Sequence, residues 1–186
     1  KGFRDVLSLR RRDKRSPYGL ETAFTPLIPR ELRREVDERS APDGTLVAVN
    51  PDEVLDAATA LWSDGAEAIL IAFLHSTTCP DNEQSAYDAL VGKWPDALIF
   101  KSHALTDVPT EFERFSTGAA SAYVAPLLRD YLSGIRSRLD QKDSLRVVVS
   151  DGGLVDSKEA EANPVRTALS GPAAGVWGAC AVCERL

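Results

Sequence analysis

The run Ala68-Ile69-Leu70-Ile71-Ala72-Phe73-Leu74 constrains the fold more than any other stretch of the chain. It is apolar without alternation, as a strand covered on both faces must be. Helical patterns flank it. Upstream, Asn50 can cap a helix, Pro51 pre-sets its first dihedral and Glu53 can reach back, while Val54, Leu55, Ala58, Leu61 and Trp62 follow helical spacing as far as Ser63. Asp64-Gly65 ends that helix. Downstream, a helix from Pro80 carries Ala86, Tyr87, Leu90, Val91 and Trp94 on one side, and Ala97-Leu98-Ile99-Phe100 follows as the next strand. A β-α-β unit implies parallel strands joined by a right-handed crossover.

The flanking regions are less uniform. Residues 1–50 are the least regular: Phe3, Val6, Leu7 and Leu9 suit a first helical turn or a strand, and Pro17 and Pro26 to Pro29 impose extended backbone. Residues 31–39 mix both charges, as in a short strand exposed on one face with surface ion pairs. After Val108-Pro109, Thr110 and Glu113 have capping-box spacing. Phe112, Phe115, Ala119, Ala122 and Tyr123 then form an apolar face that Leu128, Tyr131, Leu132, Ile135 and Leu139 continue. Pro126 calls for a kink or for two consecutive helices. Glu111, Glu113 and Arg114 have the spacing of ordinary helical ion pairs. In all, strands are expected at about 68–74, 97–101 and 145–149, and helices at about 52–63, 81–93, 111–139 and 172–185.

Composition narrows the function classes. A chain of 186 residues, 44% hydrophobic and 27% charged, can bury a core in one or two domains. Its net charge of −6 argues against a nucleic-acid surface, the basic run Arg10 to Arg15 being expected as a solvated segment. No apolar run is long enough for a membrane span and no signal-peptide pattern opens the chain, so a cytoplasmic location is expected. Three cysteines suit a reduced compartment. Cys180 and Cys183 form C-x-x-C within an apolar helical stretch, where buried helix packing is expected instead of redox or zinc chemistry. The chain lacks Met and starts Lys1-Gly2-Phe3, as an internal piece of a longer protein would.

Chemistry is concentrated in two glycine-containing stretches and one histidine. Val147 to Val149 should form a buried strand, after which Ser150, Asp151, Gly152 and Gly153 can converge on a ligand at the sheet's C-terminal edge. Ser170 suits an N-cap and Pro172 a first turn. Gly171, Ala173, Ala174 and Gly175 leave that helix start bare enough for an anion or another backbone. His75 follows the strand ending at Leu74, where an imidazole could shuttle a proton or bind a metal. Asp151 and His75 are the catalytic candidates, and His75 is a candidate metal ligand.

In this order the motifs resemble the hydantoinase/oxoprolinase family. The residues that carry the resemblance are Gly2-Phe3-Arg4-Asp5-Val6-Leu7, Arg15-x-Pro17-Tyr18, Arg33-Arg34-Glu35-Val36-x-Glu38-Arg39, Leu74-His75-Ser76, Pro80 with Glu83, Glu113-Arg114-x-Ser116-Thr117, Ala122-Tyr123-Val124-x-Pro126, Ser150-Asp151-Gly152-Gly153-Leu154, Pro164-Val165-Arg166-Thr167 and Ser170-Gly171-Pro172-Ala173-Ala174-Gly175. Three positions depart from the pattern: Cys79 stands in place of Asn, Asn82 in place of a second His, and Ser121 in place of Asn. The resemblance implies an α/β chain, part of an actin-like (ribonuclease H-like) ATPase fold with a mixed sheet and flanking helices. Residues 1–140 would be the C-terminal part of the N-terminal lobe and residues 141–186 the start of the second. It further implies an ATP-dependent enzyme that phosphorylates a lactam or related carbonyl for hydrolysis. The alternatives are an ATP-dependent ketone carboxylase subunit and a non-catalytic docking or oligomerisation lobe. ATP and Mg²⁺ would serve the intact enzyme. Ser150, Asp151, Gly152, Gly153, Ser170, Gly171 and Gly175 would line its nucleotide or substrate cleft, and a second hydantoinase-type subunit would join it in a homo- or hetero-oligomer. The family's Asp-x-Gly-Gly-Thr phosphate loops are not in the sequence, so the isolated chain is expected to be catalytically silent and to bind no nucleotide tightly.

Overall fold

The computed structural model describes residues 1–9, 25–140 and 143–184. The Arg10 to Arg15 run and the Arg15-x-Pro17-Tyr18 motif lie outside them. The chain divides into two compact units, Lys1–Tyr123 and Val124–Leu186.

The first unit begins with irregular backbone. A 3-10 turn at Val6–Ser8 and another at Arg30–Leu32 precede the hairpin of β1 (Arg39–Ala41) and β2 (Gly44–Val47). Residues 33–38, expected within a strand, pair with none, and only Arg39 belongs to β1. The β-α-β unit then follows as expected: α1 (Pro51–Ser63), β3 (Ala68–Ile71), α2 (Asp81–Lys93) and β4 (Leu98–Lys101). Strands β3 and β4 are parallel, in register from Ala68 opposite Leu98 to Ile71 opposite Lys101. Asn50 caps α1 by accepting from the Asp52 amide, whereas Glu53 accepts from the Asp37 amide and does not fold back onto its own helix.

Both faces of β3 are covered. Ile69 and Ile71 pack into a core with Val54 and Ala58 of α1, Ala86 and Leu90 of α2 and Ile99 of β4. Trp62 and Trp94 meet edge to face at its margin, with ring centroids 6.2 Å apart. Leu70 points the other way, against Gly118, where an added Cβ would lie 2.8 Å from Leu70 Cδ1. The short helix α3 (Ser102–Leu105) follows β4 directly, and α4 (Glu111–Arg136) is a single helix that runs through Pro126. The ring removes one backbone donor there. The flanking turns stay helical because Ala119, Ala122, Ala125 and Leu132 are all buried on one face. Tyr123 and Tyr131, expected on that face, are instead about two-thirds exposed.

In the second unit, β5 (Arg146–Val148) pairs antiparallel with β6 (Leu154–Asp156), a partner that periodicity did not predict. Leu132, Val149, Val155 and Ala160 form its core. Helix α5 (Ser157–Ala162) is capped by Asp156, which accepts from the Lys158 amide, and a 3-10 turn at Pro164–Thr167 leads to α6 (Ser170–Cys183). Two expectations fail here. Leu169, in the left-handed region at φ 59°, occupies the cap position in place of Ser170, and Cys180 and Cys183 are exposed. Helix α6 is largely apolar yet has no buried residue; it is only partly covered, on the side that meets β5 and the hairpin tip. No described helix is long and apolar enough to cross a membrane.

Leu90 is 1% exposed at the centre of the first core. Leu90→Ala should destabilise the chain by about 2–5 kcal/mol, read from urea unfolding followed by far-ultraviolet circular dichroism.

Candidate functional site

Ser150 to Gly153 form the tip of the β5–β6 hairpin, not an open loop at the edge of a parallel sheet. The Gly152 amide donates to the Val149 carbonyl at 2.9 Å, and the Val149 amide donates to the Gly153 carbonyl at 2.9 Å. Gly152 sits at φ 85°, and an added Cβ would lie 2.7 Å from Trp177 Nε1, so backbone conformation and space both require glycine. The Ser150 amide donates to the Arg166 carbonyl at 2.7 Å, which ties the hairpin to the turn before α6.

Asp151 is exposed. Its Oδ1 accepts from the Gly153 amide at 2.8 Å and its Oδ2 from the Arg166 guanidinium at 3.1 Å. Those two bonds, the amide's first, hold its carboxyl below the ordinary aspartate range. Arg166 also donates to Glu159 at 3.1 Å. A carboxylate at the exposed tip, beside a partly exposed guanidinium from the following 3-10 turn, can meet a hydrated cation and a phosphate respectively. At the other stretch, Gly171 and Gly175 have nothing within 4 Å of an added Cβ, which leaves the first turns of α6 bare on that side.

His75 lies in the first unit, at φ 57°, in the tight turn that follows β3. Its carbonyl accepts from the Thr78 and Cys79 amides at 3.0 and 2.8 Å, and its amide donates to Glu111 at 3.4 Å. Among the described residues, no group of three or more His, Cys, Asp or Glu side chains is arranged to hold a metal. A cavity of about 140 Å³ in the same unit is lined by Phe3, Arg33, Glu38, Leu70, Phe73 and Phe115, among others, and by none of the candidate catalytic, metal or cleft residues.

Sequence reasoning missed the most connected polar cluster, which is buried beside the His75 turn. Glu83 is fully buried. Its Oε1 accepts from the Phe73 amide at 2.8 Å and from Ser102 Oγ at 2.6 Å, and its Oε2 accepts from the His103 amide at 3.2 Å and pairs with His103 Nδ1 at 2.6 Å. Arg114 is fully buried as well, and the helical ion pair that its spacing suggested is present, with Glu111 at 3.9 Å. It donates to the carbonyls of Phe73, Val108 and Pro109 and to Ser102 Oγ, all within 3.2 Å. Ser76 and Ser102 face each other at 3.3 Å between Oγ atoms. The signal available in sequence was Glu83 and Arg114 standing in family-like motifs; the geometry joining them was not.

Asn82, standing where the family pattern has a second histidine, is 3% exposed and fully engaged. Its Oδ1 accepts from the Val49 amide, while Nδ2 donates to Glu38, Ser40 Oγ and the Val47 carbonyl. That position therefore fastens the β1–β2 hairpin to α2. Burial pushes the Glu38 carboxyl up, partly offset by the Asn82 amide.

Residues 1–91 match the family model of the hydantoinase/oxoprolinase N-terminal region, and residues 114–186 that of hydantoinase/oxoprolinase. The acetone carboxylase beta subunit of Xanthobacter autotrophicus is 33% identical over 162 residues, 83% of this chain and 22% of its own length. The 5-oxoprolinase of Saccharomyces cerevisiae is 32% identical over 170 residues, 86% of this chain and 12% of its own. The crystal structure of the ATP-dependent caprolactamase from Pseudomonas jessenii superposes on 93% of this chain with a TM-score of 0.80 and 26% identity, and the chain covers 26% of it. The chain thus spans about a quarter or less of the length of these relatives. The α/β architecture is part of an actin-like ATPase fold, although the described strands form three two-stranded sheets where one mixed sheet was expected.

Burial pushes the Glu83 carboxyl up, but the bonds from His103, Ser102 and the Phe73 amide outweigh it and leave it below its ordinary value of 4.5. A depressed carboxylate contributes stability that is present above that value and lost as pH falls through the folded one. The urea midpoint should therefore fall on acidification below pH 4.5. The fall should be shallower in Glu83→Gln, whose amide does not titrate.

Proposed function

Because the chain belongs to the hydantoinase/oxoprolinase family, we propose that it forms part of an ATP-dependent enzyme that activates a cyclic amide by phosphorylating its carbonyl oxygen for hydrolysis. The observation that carries this reading is the likeness to the ATP-dependent caprolactamase over nearly the whole of this chain. A lactam carbon is a poor electrophile and its oxygen a poor leaving group. ATP, bound with Mg²⁺, would supply the phosphoryl group that changes both. The contribution of the protein is then positioning and charge stabilisation.

In this proposal residues 1–140 belong to the N-terminal lobe and residues 141–186 begin the second. Ser150, Asp151, Gly152 and Gly153, with Ser170, Gly171 and Gly175, line the nucleotide or substrate cleft. Three features support that assignment. Asp151 is exposed and adjacent to the partly exposed Arg166. Gly171 and Gly175 have no packing role among the described residues. The start of α6 presents amide N-H groups without a side-chain cap, and such groups favour anions. A second hydantoinase-type subunit is the expected partner.

The acetone carboxylase beta subunit favours a second reading, in which the activated carbonyl belongs to a ketone, whose phosphorylated enol supplies the carbon nucleophile that attacks a CO2-level electrophile. Both readings need the same phosphorylated oxygen. They are separated by offering the intact enzyme a lactam or a ketone and measuring which one elicits ADP release.

Gly175 has open space around it and an ordinary helical backbone, so Gly175→Val can be accommodated within this chain. In the intact enzyme it should lower amide-dependent ATP turnover far more than it lowers the thermal midpoint. A lower midpoint with unchanged specific activity of the folded fraction would make the glycine a packing residue. Asp151→Ala should likewise remove turnover and leave the circular dichroism spectrum intact. The isolated chain should hydrolyse neither ATP nor a lactam above the level of its Asp151→Ala control.

A further inference from the structure

Two of the family motifs, Gly2-Phe3-Arg4-Asp5-Val6-Leu7 and Arg33-Arg34-Glu35-Val36-x-Glu38-Arg39, take no part in the function above. Both run along the wall of one cavity of about 140 Å³, which lies wholly in the first unit. Phe3, Leu70, Phe73 and Phe115 give it an apolar lining. That space suits a body about the size of benzene or a short methylene chain. Among the described residues six charged side chains also line it, and four of them are committed elsewhere: Lys1 to Glu53, Arg4 to Asp5, Arg34 to Asp64, and Glu35 to the Gly2 amide.

Arg33 and Glu38 remain, and each has binding capacity left over. The Arg33 side chain is 7% exposed, and its guanidinium donates to neutral acceptors, the Ile28 and Arg4 carbonyls and Ser8 Oγ, with one Nη2 proton unused. Asp5 Oδ1, 3.8 Å away, is too far for a hydrogen bond, and Arg30 holds both oxygens of that carboxylate. A buried cation without a bonded anion is poorly compensated, and burial lowers the Arg33 pKa accordingly. Glu38 is its counterpart. Asn82 Nδ2 and Ser40 Oγ donate to Oε2, no described group donates to Oε1, and burial raises the carboxyl pKa. The two groups share no partner and stand at separate places on the wall. A ligand with one charge compensates only one of them, whereas a zwitterion serves both and brings no net charge into the cavity.

We propose that this cavity binds an amino acid whose two charges are separated by a short apolar chain, the carboxylate meeting Arg33 and the ammonium meeting Glu38. The phenyl rings and Leu70 cover the methylenes between them. Hydrolysis of a cyclic amide yields a molecule of this class, so under the function proposed above the site would hold the product. Binding does not rest on that function and is read without turnover, so either can fail while the other stands.

The probes are ε-aminocaproate, caproate and hexylammonium, titrated calorimetrically into the 186-residue chain. The zwitterion should saturate in the millimolar range or below and bind about 10-fold more tightly than either probe of single charge. Glu38→Gln, whose side-chain oxygen still accepts from Asn82, should remove its advantage over caproate. Ala72→Leu, which fills the cavity, should abolish binding of all three probes and keep the wild-type circular dichroism spectrum. No saturable binding of ε-aminocaproate overturns the proposal, and so does equal affinity for it in Glu38→Gln and wild type. Equal wild-type affinity for caproate and ε-aminocaproate also overturns it, since Glu38 then has no part. If Glu38→Gln does not fold, Ala72→Leu decides: lost saturation supports the site, and unchanged affinity overturns it.

Discussion

Two opposite charges without solvent access hold the first unit in shape. An ionised carboxylate or guanidinium inside a protein is costly unless nearly every polar atom finds a partner. Glu83 and Arg114 meet that demand by taking the two ends of the same residue, Phe73: one accepts from its N-H, the other donates to its C=O. This explains why β3 stops at Ile71 although the apolar run continues to Leu74. Beyond the strand, backbone groups that a sheet would have used are bonded to side chains from α2 and α4. Ser102 closes the circuit by donating to Glu83 and accepting from Arg114. Shared bonds through Phe73 and Ser102 therefore join the two residues into one structural unit despite their separation in sequence.

That separation also explains what the sequence could and could not reveal. Periodicity, caps and breakers act over a few residues, and the elements they govern were readable: α1 with its Asn50 cap, α2, the β3–β4 pair and α6 all lie close to their expected bounds. The network was not readable because the two bonds that fix Phe73, from Glu83 and from Arg114, span 10 and 41 residues. Arg114, three residues after Glu111, has the spacing of an ordinary helical ion pair and makes one, but only the tertiary fold places its guanidinium in the interior. The same limit applied to Ser150 to Gly153. Valine-rich residues followed by glycines gave the strand and its end, but an antiparallel return through Leu154 to Asp156 depends on pairing and not on the strand's own composition.

Helix α6 shows the reverse relation between sequence and packing. Its apolar composition suggested burial, yet Val176, Trp177 and Val182 are each at least 60% exposed. One contact gives it a fixed place in the second unit: the Trp177 indole lies over Gly152, where any side chain would collide with it. The hairpin tip and the helix thus constrain each other through a glycine and an aromatic ring, close to the Asp151–Arg166 pair.

The left-handed backbone of His75 has an evolutionary consequence. At φ 57° glycine is accepted freely, asparagine, aspartate and histidine more readily than most other residues, and β-branched side chains least of all. Substitutions that drift into this position are filtered by conformation before their chemistry is tested. A histidine preserved there across descendants would record the shape of a turn as readily as a task, whereas His103, on ordinary helical backbone, has no such filter.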